Sequence, residues 1–442
     1  MSKRHPSSLK KYCVKTYGCQ MNELDSQVIC GVLEKRGLEP ASEEEADLLL
    51  FNTCSIRDLA ERKVMGKIGL LGRKKRRQIL GIAGCMVTAK REALLKKFPH
   101  VDFLIGPNDI GQLELALNQV IEREARVCYA SPQFSEELDY LTARREKGVK
   151  AYVSIIRGCN KHCTYCVVPY TRGPEVSRSV ESILEECRHL TEQGYRELTL
   201  LGQNVNSYGK DFSSPFLFAD LLEKIDQIPG IGRIRFLTSH PVDISKQLME
   251  AVRDLPSLCE QVHFPIQSGS NRILRKMHRM YTVEEYLEKV ALLREIVGEQ
   301  VSLGTDIIVG FPSESEEDFR KTYEVMEEVE YEPTSFLYTY SSRKGTPAVR
   351  WEDDVPESIK EERLQILMNL QTRIRNRKFE QKVGTTQEVL VERKNRDDGQ
   401  LKGGTRRGEK VAFRSSSNET LQDVRITGYS CETLIGHKVE VA

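Results

Sequence analysis

Between residues 151 and 340, six short apolar segments alternate with helical patterns. Helical segments such as Val180–Gln193 and Glu316–Glu328 separate the apolar ones. Apolar strands between helices are typical of parallel sheets covered on both faces. Six such units predict a parallel (β/α) barrel or part of one. The six predicted strands are Ala151–Ile156, Glu197–Leu201, Arg233–Leu237, Gln261–Ile266, Val301–Val309 and Ser335–Tyr340.

The preceding segment, residues 10–126, is predicted to be a second α/β unit. Apolar strands are predicted at Lys11–Tyr17, Asp47–Asn52 and Gln78–Gly84. A helix is predicted between the first two strands, at Asn22–Arg36, and Gly37 ends it. This order favours a doubly wound parallel sheet. The barrel unit is then predicted to occupy residues 145–376.

The tail, residues 380–442, has a different pattern. A long amphipathic helix is predicted at Lys360–Lys382, and short alternating segments punctuated by Gly and Asn follow it. Such segments predict a small antiparallel β-barrel. The predicted strands are Gln387–Glu392, Lys410–Phe413, Gln422–Thr427 and His437–Val441.

Composition narrows the function classes. The 442 residues carry 66 Lys and Arg against 65 Asp and Glu, so overall charge does not indicate nucleic-acid binding. The chain has no apolar run of about 18 residues and no signal-like N-terminus. We therefore expect a cytoplasmic protein without membrane contact. Disulfides are rare in that compartment, which leaves metal binding or catalysis for any organised group of the twelve cysteines.

Cys159, Cys163 and Cys166 form a C-x3-C-x2-C loop directly after the first barrel strand. A four-iron cluster held by three thiolates keeps one iron open for a small ligand. In radical S-adenosylmethionine (SAM) enzymes, that ligand is the amino acid part of SAM. The alternative is a zinc site with His162 as fourth ligand, but zinc sites normally show paired C-x2-C units.

Cys19, Cys54 and Cys85 each follow a predicted strand of the first unit. Carboxyl ends of parallel strands meet at one edge of a sheet, so these thiols are predicted to converge on a second iron–sulfur site. The alternative is that they are ordinary buried cysteines. The other six cysteines are interpreted as structural.

Several segments together resemble the methylthiotransferase family of radical SAM enzymes. The resemblance covers nearly the whole chain and its tail resembles a TRAM domain, an RNA-binding β-barrel. It lies in the segments Thr16–Asn22, Asn52–Arg57, Gly84–Met86, Arg157–Gly173, Leu201–Tyr208, Asp306–Pro312 and Tyr340–Ala348.

The resemblance implies a fold, a reaction and cofactors. It implies two [4Fe-4S] clusters, on the loop and strand-end triads, and SAM as source of both radical and methyl group. It also implies methylthiolation of N6-dimethylallyladenosine next to the anticodon of tRNA. The run Cys163–Gly173 favours that substrate. We further expect the tRNA anticodon loop and a flavodoxin or ferredoxin as partners, and a monomeric chain.

Other contacts are predicted less directly. Gly202, Gln203 and Asn204 are candidates to hold the amino acid part of SAM, Gly310 to approach its adenosine and Tyr165 to pack on its adenine; turn geometry or core packing would explain them equally well. RNA is expected to contact a basic cluster of the tail, although such a cluster is often only a solvated face. The cluster comprises Lys402, Arg406, Arg407, Lys410 and Arg414.

Three alternatives stay open. Two alternatives keep the chain an enzyme but give it another substrate, either threonylcarbamoyladenosine of tRNA or an aspartate of a ribosomal protein. In the third, the chain is a non-enzymatic zinc protein that binds RNA. The sequence identifies neither the sulfur source, nor the electron donor, nor which tRNAs are modified.

Overall fold

The computed structural model describes seven stretches of the chain. They are residues 9–55, 58–72, 78–123, 125–134, 138–333, 335–394 and 399–439. Ile56 and Arg57, the end of one of the family-like segments, lie outside the described residues. No described helix is both long enough and apolar enough to cross a bilayer.

The first unit is a six-stranded parallel sheet in the order β2-β1-β3-β4-β5-β6. Helices α1 and α5 pack on one face and α2, α3 and α4 on the other, which confirms the doubly wound prediction. Strands β3 and β4 are buried along their whole length, as their apolar sequences require. The elements are β1 (Lys11–Tyr17), α1 (Gln20–Lys35), β2 (Glu39–Pro40), β3 (Leu48–Thr53), α2 (Asp58–Leu71), β4 (Ile79–Gly84), α3 (Cys85–Lys90), α4 (Glu92–Lys97), β5 (Phe103–Ile105), α5 (Leu113–Arg123) and β6 (Val127–Tyr129).

The second unit contains the six predicted parallel strands. They form two three-stranded sheets, β7-β10-β11 and β12-β13-β14, which a bridge between Ile234 and Leu258 brings together. Within the described residues, no ladder joins β14 to β7, so the barrel is partial. The elements are β7 (Lys150–Ser154), β8 (Ile156–Arg157), α6 (Val168–Thr171), β9 (Val176–Ser177), α7 (Val180–Glu192), β10 (Glu197–Leu201), α8 (Phe218–Asp226), β11 (Arg233–Phe236), α9 (Lys246–Asp254), β12 (Gln261–His263), α10 (Asn271–Lys276), α11 (Val283–Val297), β13 (Ser302–Val309), α12 (Glu316–Val329), β14 (Ser335–Thr339) and α13 (Glu357–Lys382).

The tail forms a closed five-stranded barrel in the order β15-β16-β17-β19-β18. Its pairs are antiparallel, as predicted, except for β17 with β19, which run parallel. The prediction also missed β16, whose two glycines hide the alternation, and placed the last strand too late, at His437–Val441. The strands are β15 (Thr386–Lys394), β16 (Leu401–Thr405), β17 (Lys410–Arg414), β18 (Leu421–Ser430) and β19 (Thr433–Lys438).

The tail barrel packs against the amino ends of the central strands. Arg233, the first residue of β11, is fully buried and donates to the carbonyl oxygens of Gly404 (2.7 Å) and Glu388 (2.9 Å). Arg235 donates to the carbonyl oxygens of Thr405 (2.6 Å) and Arg406 (2.8 Å). The cysteine loop lies at the opposite, carboxyl end of the strands.

Candidate iron–sulfur and cofactor site

The structure brings the strand-end cysteines together. Cys19, Cys54 and Cys85 follow β1, β3 and β4, which are adjacent in the sheet, and none of the three is in a disulfide bond. A hydrogen bond with Cys54 lowers the pKa of Cys19 to about 6, although burial opposes the shift. This shift favours the thiolate form of Cys19, which is the form that ligates metals.

An amide network holds two of these strand ends in place. The Asn22 side chain donates to Asn52 Oδ1 (3.1 Å), and Asn52 donates back to the Asn22 carbonyl oxygen (2.8 Å) and to Ser26 Oγ (2.9 Å). All three residues are buried. Gly84 has φ +93°, and a Cβ there would stand 2.4 Å from the Thr53 carbonyl oxygen. Only glycine allows the turn into Cys85 at this distance from β3.

Cys159, Cys163 and Cys166 lie in the loop between β8 and α6. Cys159 and Cys163 are buried and Cys166 is half-buried, so the loop is less open than its position at the barrel mouth suggests. Burial raises the pKa of Cys159 and of Cys166 to about 12. Arg279 Nη1 donates to Cys163 Sγ at 3.4 Å, placing a buried positive charge beside the triad.

Residues of the neighbouring strand ends hold this loop. Gln203 Oε1 accepts from the Gly158 amide at 2.6 Å. Asp243, in the turn after β11, accepts from Lys161 at 3.0 Å, Lys210 at 2.6 Å and Asn204 Nδ2 at 2.7 Å. The loop is therefore attached to both β10 and β11.

The residues proposed to contact SAM surround the same loop, but protein groups engage several of them. The Asn204 amide also accepts from the His240 backbone at 3.1 Å, so both its ends are occupied. A Cβ at Gly202 would lie 2.4 Å from Ile156, so glycine lets β10 approach β8 closely. Tyr165 packs edge-on against Phe311, with ring centroids 6.4 Å apart.

Gly310 follows β13 and has φ +71°. Its amide donates to Glu314 at 2.6 Å, and a Cβ there would stand 2.2 Å from Lys360 Cγ. The turn and the contact with α13 account for this glycine without any ligand.

The basic residues of the tail differ in their surroundings. Arg406 binds Glu260 of the barrel unit with N–O distances of 3.0 to 3.2 Å and donates to the Leu258 carbonyl oxygen at 2.7 Å. Arg407 donates to Gln300 at 2.7 Å. Lys402 is half-buried on β16, and Lys410 and Arg414 are exposed at the two ends of β17. Arg406 therefore joins the two units.

Sequence reasoning missed Asp25, Asp243 and Arg279. Asp25 is 1% exposed and pairs with Arg157 (2.5 Å) and Arg172 (2.8 Å), one on each side of the cysteine loop. Acidic residues in a helix or turn are common, so no local sequence pattern distinguishes Asp25 or Asp243 from other acidic residues. Only the fold brings their partners to them.

The donor sets fit iron–sulfur clusters. Across the described residues, no three His, Cys, Asp or Glu side chains stand close enough to ligate a single metal ion. Thiolates on a four-iron cluster each hold a different iron, so donor chemistry is the relevant test. Each triad offers three thiols that are not in disulfide bonds, and each has a buried arginine near it.

Two family models match the chain. The radical SAM superfamily matches residues 153–326, and the uncharacterized protein family UPF0004 matches residues 11–106. The fold is similar to that of a radical SAM methyltransferase, TsrM from Kitasatospora setae, solved with cobalamin and a [4Fe-4S] cluster bound. The TM-score is 0.55 at 15% identity, with 86% of this chain and 77% of that chain covered.

Curated relatives match over nearly the full length. The tRNA-2-methylthio-N(6)-dimethylallyladenosine synthase of Protochlamydia amoebophila is 60% identical, with 97% of this chain and 96% of the relative covered. That of Carboxydothermus hydrogenoformans is 45% identical, with 93% and 94% covered. The chain therefore belongs to the tRNA-2-methylthio-N(6)-dimethylallyladenosine synthase family of radical SAM enzymes.

Proposed function

We propose that this chain converts N6-dimethylallyladenosine next to the anticodon of tRNA to its 2-methylthio derivative. The observation that carries the proposal is identity of 60% over 97% of the chain with a curated enzyme of that name. The two cysteine triads supply the donor chemistry that such an enzyme needs. As a radical SAM enzyme, the chain uses SAM and iron–sulfur chemistry.

We assign two [4Fe-4S] clusters. Cys159, Cys163 and Cys166 hold the first, and Cys19, Cys54 and Cys85 hold the second. A cluster held by the loop triad would supply, once SAM is bound, the electron needed for reductive cleavage of the SAM sulfonium. Gln203 and Asp243 keep the loop fixed during this step, because they attach it to the ends of β10 and β11.

Gly202, Gln203 and Asn204 border the space for the amino acid part of SAM. Because both ends of the Asn204 amide bind protein groups, we assign that contact to the backbone of this strand end. Tyr165 and Gly310 border the space for the adenosine. Arg279 Nη1, which donates to Cys163 Sγ at 3.4 Å, places a positive charge beside the cluster assigned to this loop.

For tRNA, we assign contacts to Lys402, Lys410 and Arg414. Arg406 and Arg407 contribute less, because their side chains bind Glu260 and Gln300. A central strand such as β10 has five residues. At about 3.3 Å per residue it separates the tail from the cysteine loop by roughly 16 Å or more. The tRNA body therefore contacts the tail while the anticodon loop reaches the other end of the barrel.

Mass analysis of nucleosides from a deletion strain tests the function. We expect the 2-methylthio derivative of dimethylallyladenosine to disappear and the unthiolated nucleoside to accumulate. Loss of methylthiolated threonylcarbamoyladenosine, or of methylthiolated ribosomal aspartate, would assign one of the alternative substrates instead. Colourless zinc-containing protein without SAM cleavage would assign the RNA-binding alternative.

Other assignments complete the proposal. The electron donor is a flavodoxin or ferredoxin, the chain acts as a monomer, and it works in the cytoplasm. The functional units are residues 10–126 for the second cluster, 145–376 for the radical reaction and 380–442 for RNA.

A further inference from the structure

One buried carboxylate joins the loop triad to the strand-end triad. Asp25 lies on α1, six residues after Cys19, and is 1% exposed. Its two oxygens accept from Arg157 Nη2 at 2.5 Å and from Arg172 Nη2 at 2.8 Å. Arg157 comes two residues before Cys159, and Arg172 follows α6. Both ends of the cysteine loop are thus fixed to α1, the helix that Cys19 directly precedes.

The charges of this group do not cancel. Two guanidinium groups, each 3% exposed at the side chain, face one carboxylate, which leaves one net positive charge in the interior. Such a charge is costly unless an anion compensates it. The other Arg157 groups are satisfied, because Nε donates to Tyr140 Oη (2.9 Å) and Nη1 to the Pro107 carbonyl oxygen (2.9 Å).

Arg172 differs from Arg157 in this respect. Its Nη1 is buried and has no hydrogen-bond partner among the described residues. Helix α3, which begins at Cys85, packs against α6, and this contact brings Arg172 to the strand-end triad. Arg172 lies close enough to the Cys19 and Cys85 thiols for its charge to act on both.

We infer that Arg172 is the positioning residue and counter-charge of the second cluster, donating through its free Nη1 to an anionic sulfur of that site. The inference rests on the second cluster assigned under the proposed function. A positive charge beside a cluster favours its reduced form, which carries one more negative charge. Arg172 therefore raises the reduction potential of the second cluster, and Asp25 limits that effect.

The test uses full-length chain in which Cys159, Cys163 and Cys166 are all replaced by Ala, so that only the second cluster is loaded. Iron content and the midpoint potential are measured by redox titration followed by electron paramagnetic resonance. In this background we expect Arg172→Met to shift the one-electron reduction equilibrium at least tenfold toward the oxidised form, about 59 mV. Arg172→Lys keeps the charge, so its midpoint potential should stay close to that of the parent.

Two further variants separate charge from general structural damage. Asp25→Asn removes the negative charge, and we expect the opposite shift, toward the reduced form. Arg145→Met also removes a buried guanidinium, which is paired with Glu186, and should leave the potential unchanged. If Arg172→Met does not fold, the sign of the Asp25→Asn shift decides.

An unchanged potential in Arg172→Met with iron retained would overturn the inference and leave the second cluster standing. So would equal shifts in Arg172→Met, Arg172→Lys and Arg145→Met. Absence of iron in the triple-Ala parent would refute the second cluster itself, and this inference with it.

Discussion

Lys161, inside the cysteine loop, forms an ion pair of 3.0 Å with Asp243 in the turn after β11. Asp243 is 3% exposed at the side chain and also binds Lys210. Although burial opposes it, hydrogen bonds from Lys210, Asn204 and Lys161 lower the pKa of Asp243 to about 2. The carboxylate is therefore ionised at any working pH. It lies between the ammonium groups of Lys161 and Lys210 and so holds Lys161, and with it the loop, in place.

Replacing that carboxylate by an amide of the same shape should loosen the loop. In Asp243→Asn, Lys161 and Lys210 lose their counter-charge, and losing a hydrogen bond to a charged group costs about 1.5–3 kcal/mol. We expect faster loss of iron from the loop cluster to a chelator, with the strand-end cluster unaffected. Lys246→Gln, which alters an exposed ion pair, is the control. Equal chelation rates in Asp243→Asn and the parent chain would contradict this role.

Cys163→Ala should abolish the radical reaction. A four-iron cluster held by only two thiolates has a second iron without a protein ligand, so the loop cluster should be labile, and without it SAM is not cleaved. The protein should stay coloured and release no 5′-deoxyadenosine under strong reductant. Because Cys163 is buried, melting curves should accompany the assay. Parent-level 5′-deoxyadenosine would overturn the assignment.

Removing Cys19, Cys54 and Cys85 together should leave about half of the iron, since each triad is assigned one four-iron cluster. SAM cleavage should continue, because the loop cluster has its own ligands, while formation of the methylthio product should stop. Cys13→Ala with Cys128→Ala is a matched control, as both residues lie in strands of the same sheet. Unchanged iron content in the triple variant would rule out the second site.

Substitutions in the tail should separate RNA contacts from the contact between units. We expect Lys410→Ala with Arg414→Ala to weaken tRNA binding and to reduce its salt slope by about 1.4, at about 0.7 per phosphate contact. Arg406→Ala should instead lower the free energy of unfolding by about 1–3 kcal/mol, because Glu260 loses its partner. A larger loss of tRNA affinity from Arg406→Ala at unchanged stability would reverse the two roles.

Truncation at Gly384 would be a poorer test. It would expose Arg233, which is fully buried and donates to two tail carbonyl oxygens. The damage to the barrel unit would then be mistaken for an effect on RNA binding.

Acid should destabilise the fold through His240. Burial, and then the Arg279 charge, lower the pKa of His240 to about 2. The unfolded chain binds a proton below about pH 6.5 and the folded chain does not, so stability is retained above pH 6.5. It falls by up to about 1.4 kcal/mol per pH unit below that value. His240→Asn can still accept a hydrogen bond from the Val242 amide. In this variant the free energy of unfolding, measured with urea, should fall less between pH 6.5 and pH 5. An unchanged slope would contradict this.

The sequence by itself determined the fold class, and it predicted the two cysteine sets. Apolar strands between helices predicted the parallel strands of the first and second units, because such strands must be buried on both faces. The positions of Cys19, Cys54 and Cys85 at strand ends predicted their convergence, since β1, β3 and β4 share one edge. In the tail, strand β16 was not predicted, because its glycines hide the alternation, and the alternation could not show that β17 pairs with β19 in parallel.

Only the tertiary structure decided what surrounds the cysteines. Asp25 meets Arg157 and Arg172 across 132 and 147 residues of sequence, and a charge pattern cannot be read over such separations. Arg406 was predicted as an RNA contact from the basic residues near it in sequence. Its ion pair with Glu260 spans 146 residues and likewise could not be read from the sequence. Local sequence determines strand and helix, but burial of charge is a property of the assembled fold, because it depends on which distant groups exclude water.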